Sequence, residues 1–381
     1  MESIYTQILK LKNISCYNNA VNNQEIEEIL LGNESASRYI YEYFQSGHKE
    51  EVVADWIKDI SAPMQARNLH AVNVYFISLV LCEQMGIQDE MKLISKNGIL
   101  YPFKYLLYLA CLAHDMGYMY EENDNTDDDN SLNRSRKNFY LKKRIPVKYI
   151  APNVNGKKLG IRYGASKNFD YKIKFENGLS ISKPWYSQKL KTDYLRYKME
   201  QMKMLDHGIV GADLLFSKLV VNYKAKFKEN EKRKEIDFDK FEDSYRIFCS
   251  EQFRIFAYIA DCVAAHNVYM AAKDKREIYI KYELKSLLPE NFEKISFKKN
   301  PLLFLLCLAD TLEPYKRFGS ENDNITILKN ISFEINQEEK LKVNVKLGDA
   351  GIRGLETNRE KYISDIGKLS EWCNICVNIS A

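Results

Sequence analysis

No stretch of this sequence is both long and apolar enough to cross a bilayer. The most apolar runs, LLYLACLA from Leu106 and PLLFLLCLA from Pro301, stop at His114 and Asp310, short of the ~20 residues a membrane helix needs, so no membrane partner is expected. The opening residues, MESIYTQILKLKN, lack the basic flank, continuous apolar stretch and small-residue cleavage site of a secretory leader. A disulfide framework is missing too. Of eight cysteines, Cys82, Cys111, Cys249, Cys262 and Cys307 sit in apolar, helix-like surroundings, where a free thiol packs as a small hydrophobe. That usage suits a reducing cytoplasm. Net charge is only +4, from 56 basic and 52 acidic residues, so overall charge singles out no nucleic acid. Histidine is scarce, five in 381 residues.

What is present is enough for a sizeable core: 45% of residues are hydrophobic, and the length fits one enlarged domain or two ordinary ones. Residues 1–60 read as a helical lead-in, with EIEEILL from Glu25 and SRYIYEYF from Ser37. NLHAVNVYFISLVLCEQMG is apolar on nearly every side; Asn68 would cap its start and Gly86 its end. YPFKYLLYLACLAHDMG repeats that grammar between Pro102 and Gly117, which puts His114 and Asp115 in the last helical turn. Residues 121–200 read as an insertion: an acidic run from Glu121 to Asn130, a basic run from Arg134 to Lys148, then strand-like alternation with Asn177-Gly178 as a two-residue hairpin turn.

Helices resume at LDHGIVGADLLFSKLVVNY, FAYIADCVAAHNVYM and PLLFLLCLADTLEP, the last opened by Asn300 and Pro301 and closed by Pro314. NITILKNISFEIN and LKVNVKL would form a second hairpin around QEEK, followed by an amphipathic helix from about Glu356 to Cys376. The expected fold class is mainly α. A helical domain over 61–320 is interrupted by the 121–200 insertion, and 321–381 adds a C-terminal hairpin and helix.

Four of the five histidines lie inside or at the ends of the apolar helices. A buried imidazole needs partners for both ring nitrogens, and a metal ion backed by a hydrogen-bond acceptor supplies them. Any one alone is more commonly a satisfied core histidine; the set says more. His114 and Asp115 project about 100° apart on a helix, so at a helix end both can converge on one site. The imidazole would hold one ion while the carboxylate bridges a pair, with His70 and Asp310 completing the first site and His207 and His266 the second. Such mixed ligation favours Fe or Mn, with Zn, Co or Mg also compatible, over copper or calcium.

The ordered series His70, AHD at Ala113 to Asp115, DHGIVGADLL from Asp206, AAHN ending at Asn267 and LADTLEP from Leu308 resembles the HD phosphohydrolase superfamily. Within it the similarity is nearest to bacterial symmetrical dinucleoside-tetraphosphate hydrolases. The resemblance implies an HD-domain helical bundle with His70, His114, Asp115 and Asp310 as the core metal set, and His207 and His266 admitting a second divalent ion. It also implies that Arg67 and Arg317 approach phosphate. The expected activity is hydrolysis of a phosphoester or phosphoanhydride bond in a nucleotide (dinucleoside polyphosphate, deoxynucleoside triphosphate or cyclic nucleotide) by metal-activated water. The gaps from Asp115 to His207 and from His266 to Asp310 are longer than in compact members, which leaves the substrate open. Asp206 would orient an imidazole, shuttle a proton or simply cap a helix.

A different class is also compatible: a nucleic-acid-binding or regulatory protein with a structural or sensing metal centre, or a metal-dependent nuclease, using the basic run 134–148 with its Phe139 and Tyr140. Cys373 and Cys376 form a CxxC with no second pair, the acidic run lacks the Gly and Glu of a calcium loop, and His48 stands outside the pattern.

Overall fold

The computed structural model describes residues 1–11, 23–45, 67–87, 91–94, 100–120, 173–213, 215–216, 250–318, 324–337, 341–348 and 356–380. Most are helical: α1 (Ile4–Leu9), α2 (Asn23–Ile29), α3 (Asn33–Gln45), α4 (Asn68–Gln84), α5 (Phe103–Ala113), α6 (Gln188–Gln201), α7 (Ser250–Ala265), α8 (Arg276–Lys281), α9 (Pro301–Leu312), α10 (Tyr315–Phe318), α11 (Asn324–Asn330) and α12 (Glu356–Trp372). A further helical segment covers 207–213. Two short antiparallel pairs, β1 (Lys92–Ile94) with β2 (Leu100–Pro102) and β3 (Ile173–Lys174) with β4 (Ser180–Ile181), lie beside the helices. Near the C-terminus β5 (Ile331–Gln337), β6 (Leu341–Leu347) and β7 (Cys376–Ser380) form a sheet in that order. No described helix is long and apolar enough to cross a membrane.

The centre of the molecule is α4, buried from Asn68 through Cys82. A helix apolar all round must be covered all round, and α3, α5 and α9 pack on it. Its start is fixed from a distance. Arg67 occupies the N-cap without a side-chain bond, and Asn33 Oδ1 accepts from Leu69 N at 2.9 Å instead. Asn68, expected as the cap, sits inside the first turn and donates to Ser37 Oγ at 2.6 Å. The long-range cap therefore pins His70 as well as the helix, a contact worth ~1 kcal/mol. Gly86 ends the helix with φ of +66°, as expected of a C-terminal glycine.

α7 and α9 pack on α5 and on one another. Asn300 caps α9 through Oδ1 to Leu303 N at 3.2 Å, with Pro301 at the first position. One hydrophobic core runs from Ile4 to Ile375, so the lead-in helices and the C-terminal sheet share it with the central helices. Residues 173–200, expected within an insertion, also belong to this body. The Lys191 ammonium is buried and paired with Asp261, whose other oxygen accepts from Trp185 N at 3.1 Å, so α6 is tied to α7. The acidic run, the basic run and His48 lie outside the described residues.

Three local expectations change. The 177–178 turn is wider than two residues: Phe175 N bonds Leu179 O at 2.8 Å, leaving Glu176, Asn177 and Gly178 at the tip, with Gly178 at φ +88°. NITILKN folds as α11, and only ISFEINQ becomes strand, pairing Ile331 with Leu347. The last helix stops at Trp372, and Cys376–Ser380 turns back as β7, parallel to β6. Alternation alone does not separate a short helix from a strand; packing on the sheet edge decides. Cys373 is a buried free thiol pushed up to about 12 by burial, so it is not poised for redox chemistry.

Candidate metal centre

The first turn of α4 meets the ends of α5, α7 and α9. His70 comes from α4, His114 is the C-cap of α5, His266 follows Ala265 at the end of α7, and Asp310 lies in the last turn of α9. Three helix C-termini thus direct their partial negative charge at one place, which favours a cation there. α5 ends at Ala113, so Asp115 stands in the turn beyond it rather than in the helix.

His70 Nε2 lies 3.2 Å from His114 Nε2, 3.2 Å from Asp310 Oδ1 and 3.4 Å from Asp115 Oδ2. His114 Nε2 lies 3.4 Å from Asp115 Oδ1 and 3.5 Å from Asp310 Oδ1. For an ion held at roughly 2.0–2.2 Å by nitrogen and oxygen, neighbouring ligand atoms stand about that far apart. Ligand atoms of His70, His114 and Asp310 lie within 4.8 Å of one another, as do those of His114, Asp115 and His266. All are buried.

The opposite ring edges explain why the Nε2 atoms face inward. His114 Nδ1 donates to Cys111 O and His266 Nδ1 to Val263 O, each at 2.6 Å. The same device, a ring reaching back to the carbonyl three residues earlier, recurs at two helix ends. A carbonyl only accepts, so both rings carry a proton on Nδ1, which leaves Nε2 as the atom that could bind an ion. His70 Nδ1 is bound by the fully buried Glu313 at 2.5 Å. Glu313 also accepts from Asn73 Nδ2, Tyr315 N and Lys316 N at 2.9, 2.8 and 3.2 Å. Asn73 Nδ2 in turn reaches Asn324 Oδ1 at 2.9 Å.

The electrostatics follow from this crowding. Burial by itself pulls the His70 imidazole down, but Glu313, Asp310 and Asp115 outweigh it and hold the group at about 9. Burial and the neighbouring His114 and His207 rings pull His266 down to about 3. Burial pushes the Asp115 carboxyl up, yet His114, His70 and His207 carry it well below the usual carboxylate range. Asp310 is likewise held well below that range, its burial outweighed by Lys316 and His114. Two buried carboxylates beside three imidazoles make a pocket suited to positive charge. Oxygen and imidazole nitrogen together fit a divalent cation of the Fe, Mn or Zn type.

His207 approaches the cluster through Asp115 Oδ1, 3.6 Å from its Nε2, and Asp115 thereby faces His70 with one oxygen and His207 with the other. The His207 ring stacks on Tyr118 at 3.9 Å and 17°, and the Arg67 guanidinium covers Tyr118 at 3.4 Å while its Nη1 bonds Asp115 Oδ2 at 3.0 Å. Glycine makes this approach possible. A Cβ on Gly117 would fall 2.0 Å from His207 O, inside any tolerable contact.

Asp206 acts as a helix cap: Oδ1 accepts from Ile209 N at 2.9 Å, and Oδ2 accepts from Asn267 Nδ2 at 2.8 Å. The same Asn267 nitrogen stands 3.3 Å from His207 Nδ1, so Asn267 links Asp206 to the imidazole. Arg317 is not brought to the cluster; its Nε bonds Asp365 Oδ2 at 2.8 Å. Lys316 is there instead, with Nζ 2.6 Å from Asp310 Oδ1. Sequence reasoning missed Glu313, Asn73 and Lys316. Two signals point to them in sequence: an asparagine inside an apolar helix three residues after a histidine, and the Glu-Pro that closes LADTLEP. Compared with family models, curated proteins and solved structures, the chain finds no match.

Proposed function

We propose that this chain is a metal-dependent phosphohydrolase of the HD type, acting on a phosphoester or phosphoanhydride bond of a nucleotide. The observation that carries the reading is that the Nε2 atoms of His70 and His114 lie 3.2 to 3.5 Å from each other and from carboxylate oxygens of Asp115 and Asp310, each ring fixed through its Nδ1. Their order along the chain adds the link to nucleotide chemistry. His70, His114, Asp115 and Asp310 would hold one ion; Asp115, His207 and His266 would hold a second. Divalent ions so held acidify water and neutralise phosphoryl oxygens.

The chain's own residues do the rest. Glu313, Cys111 O and Val263 O keep the ring protons on the side away from the ions. The buried walls exclude bulk water, which strengthens every charge interaction inside. Arg67, its side chain 37% exposed, stands where an incoming phosphate would meet a bidentate donor. The decisive experiment is metal analysis together with a substrate panel. Protein loaded with Mn(II) or Fe(II) is expected to hydrolyse at least one of a dinucleoside polyphosphate, a deoxynucleoside triphosphate and a cyclic nucleotide, and His114→Ala is expected to lose both ion and activity. A wild-type protein with ions bound but silent across the panel, or a His114→Ala variant with full metal content, would refute the proposal.

A further inference from the structure

Among the described residues, Arg67 pairs with Asp115 and Lys316 with Asp310 at the centre. Lys316 was not anticipated from sequence, and its position is not that of an ordinary surface ion pair. The neighbouring Arg317 shows the contrast: it meets Asp365 of α12, away from the histidines. Lys316 instead directs its ammonium to Asp310 Oδ1, the same oxygen that His70 Nε2 and His114 Nε2 approach at 3.2 and 3.5 Å. An ion ligated by that oxygen and the ammonium compete for one atom.

The backbone of Lys316 is held by the same glutamate that holds His70. Its N–H bonds Glu313 Oε2, the oxygen that also holds His70 Nδ1, so α10 is registered directly on the centre. The side chain is 24% exposed, against 3% for His70 and 0% for His114, which places the ammonium between the buried ligands and solvent. A lysine there has a compact charge on a stem with freely turning bonds.

We propose that Lys316 is an exchangeable cation: it neutralises Asp310 when the centre is empty of metal, and turns its ammonium to the anionic phosphoryl group of the substrate when an ion takes Asp310. This rests on the phosphohydrolase reading and assigns Lys316 the recognition of phosphate. Two effects of opposite sign follow. Removing the ammonium leaves the cluster more negative, so an ion binds more tightly; it also removes a charge-assisted bond to phosphate, so the anion binds more weakly.

The test is calorimetry on the full chain, in wild type, Lys316→Met, Lys316→Gln and Arg317→Met, with thermal unfolding to establish that each variant is folded. Mn(II) is titrated first, then inorganic phosphate into the Mn-loaded protein. Both Lys316 variants are expected to bind Mn(II) on the order of tenfold more tightly and phosphate roughly tenfold more weakly, while Arg317→Met moves neither affinity. If Mn(II) binding is unchanged or weakened in folded Lys316 variants, or if phosphate binding is unchanged, the exchange role is wrong and the metal centre stands. If wild type binds no Mn(II), the phosphohydrolase reading fails together with the exchange.

Discussion

Glu313 is the residue whose substitution tests the centre most sharply without touching a ligand. Its carboxylate is fully buried and accepts four N–H donors: His70 Nδ1, Asn73 Nδ2, Tyr315 N and Lys316 N. Glu313→Ala strands all of them, and breaking a buried pair of this kind costs ~3–5 kcal/mol, a large share of the ~5–15 kcal/mol that holds a typical domain together. Glu313→Gln is more informative because it keeps the volume and one acceptor while turning the other oxygen into a donor. Each oxygen serves two of the four donors, so the change opposes two of them, and each costs roughly 1–3 kcal/mol. Its larger effect is on His70, whose ring loses the carboxylate charge that fixes its proton and its aim; such a loss lowers metal affinity by about 10- to 100-fold. Calorimetric titration with Co(II), followed by its visible absorption bands, reads both affinity and ligand geometry. A Gln variant with wild-type affinity and an unchanged spectrum would show that His70 is not a ligand held by Glu313, and the argument for the centre would lose its best-supported part.

Gly117→Ala places a methyl group 2.0 Å from the His207 carbonyl oxygen, a backbone atom with no cheap way to move. A stability loss of ~1–3 kcal/mol or more is expected, with one ion bound instead of two; an unchanged melting temperature and stoichiometry would contradict the close approach. Asp261→Ala removes the carboxylate that meets the buried Lys191 ammonium and Trp185 N and should cost ~3–5 kcal/mol in urea unfolding, with little effect expected from Asp365→Ala on the solvent-facing pair. The metal-free protein should also show a particular pH profile. His70 rises from 6.5 unfolded to about 9 folded, so its contribution is complete below about pH 6.5 and is lost as pH climbs through 9, by roughly 3 kcal/mol. Asp115 and Asp310 lie below their usual 3.8, so their contribution holds above about pH 4 and fades in acid. Urea midpoints flat from pH 6 to 9 would contradict the His70 assignment, and saturating Mn(II) should abolish the alkaline loss.

The helices that build the site were readable because each is apolar on most sides and punctuated at its ends. Asn300 and Pro301, Pro314 and Gly86 each sit at the boundary their chemistry suggests. Asn68 misled because its neighbour Arg67 is the true N-cap and the capping oxygen belongs to Asn33, thirty-six residues away in sequence; a local window holds no trace of that bond. β7 and α11 misled for a related reason. CVNIS and NITILKN are short segments of mixed polarity whose conformation is decided by the edge of β6 and by the contacts of α11 with α1.

The centre shows where such reading ends. Inward-facing ligands are legible as a set, because four of only five histidines fall inside or at the ends of apolar helices. The groups that aim those ligands do not announce themselves, since they are backbone carbonyls of Cys111 and Val263, or a glutamate written into a helix end beside a proline. Glu313 and Lys316 reach opposite sides of the same cluster, one fixing a ring and the other neutralising a carboxylate. In sequence they are an ordinary acid and base three residues apart. Only the meeting of α4 with α9 turns that spacing into a device in which the residue that orients His70 also sets the position of the cation competing for Asp310.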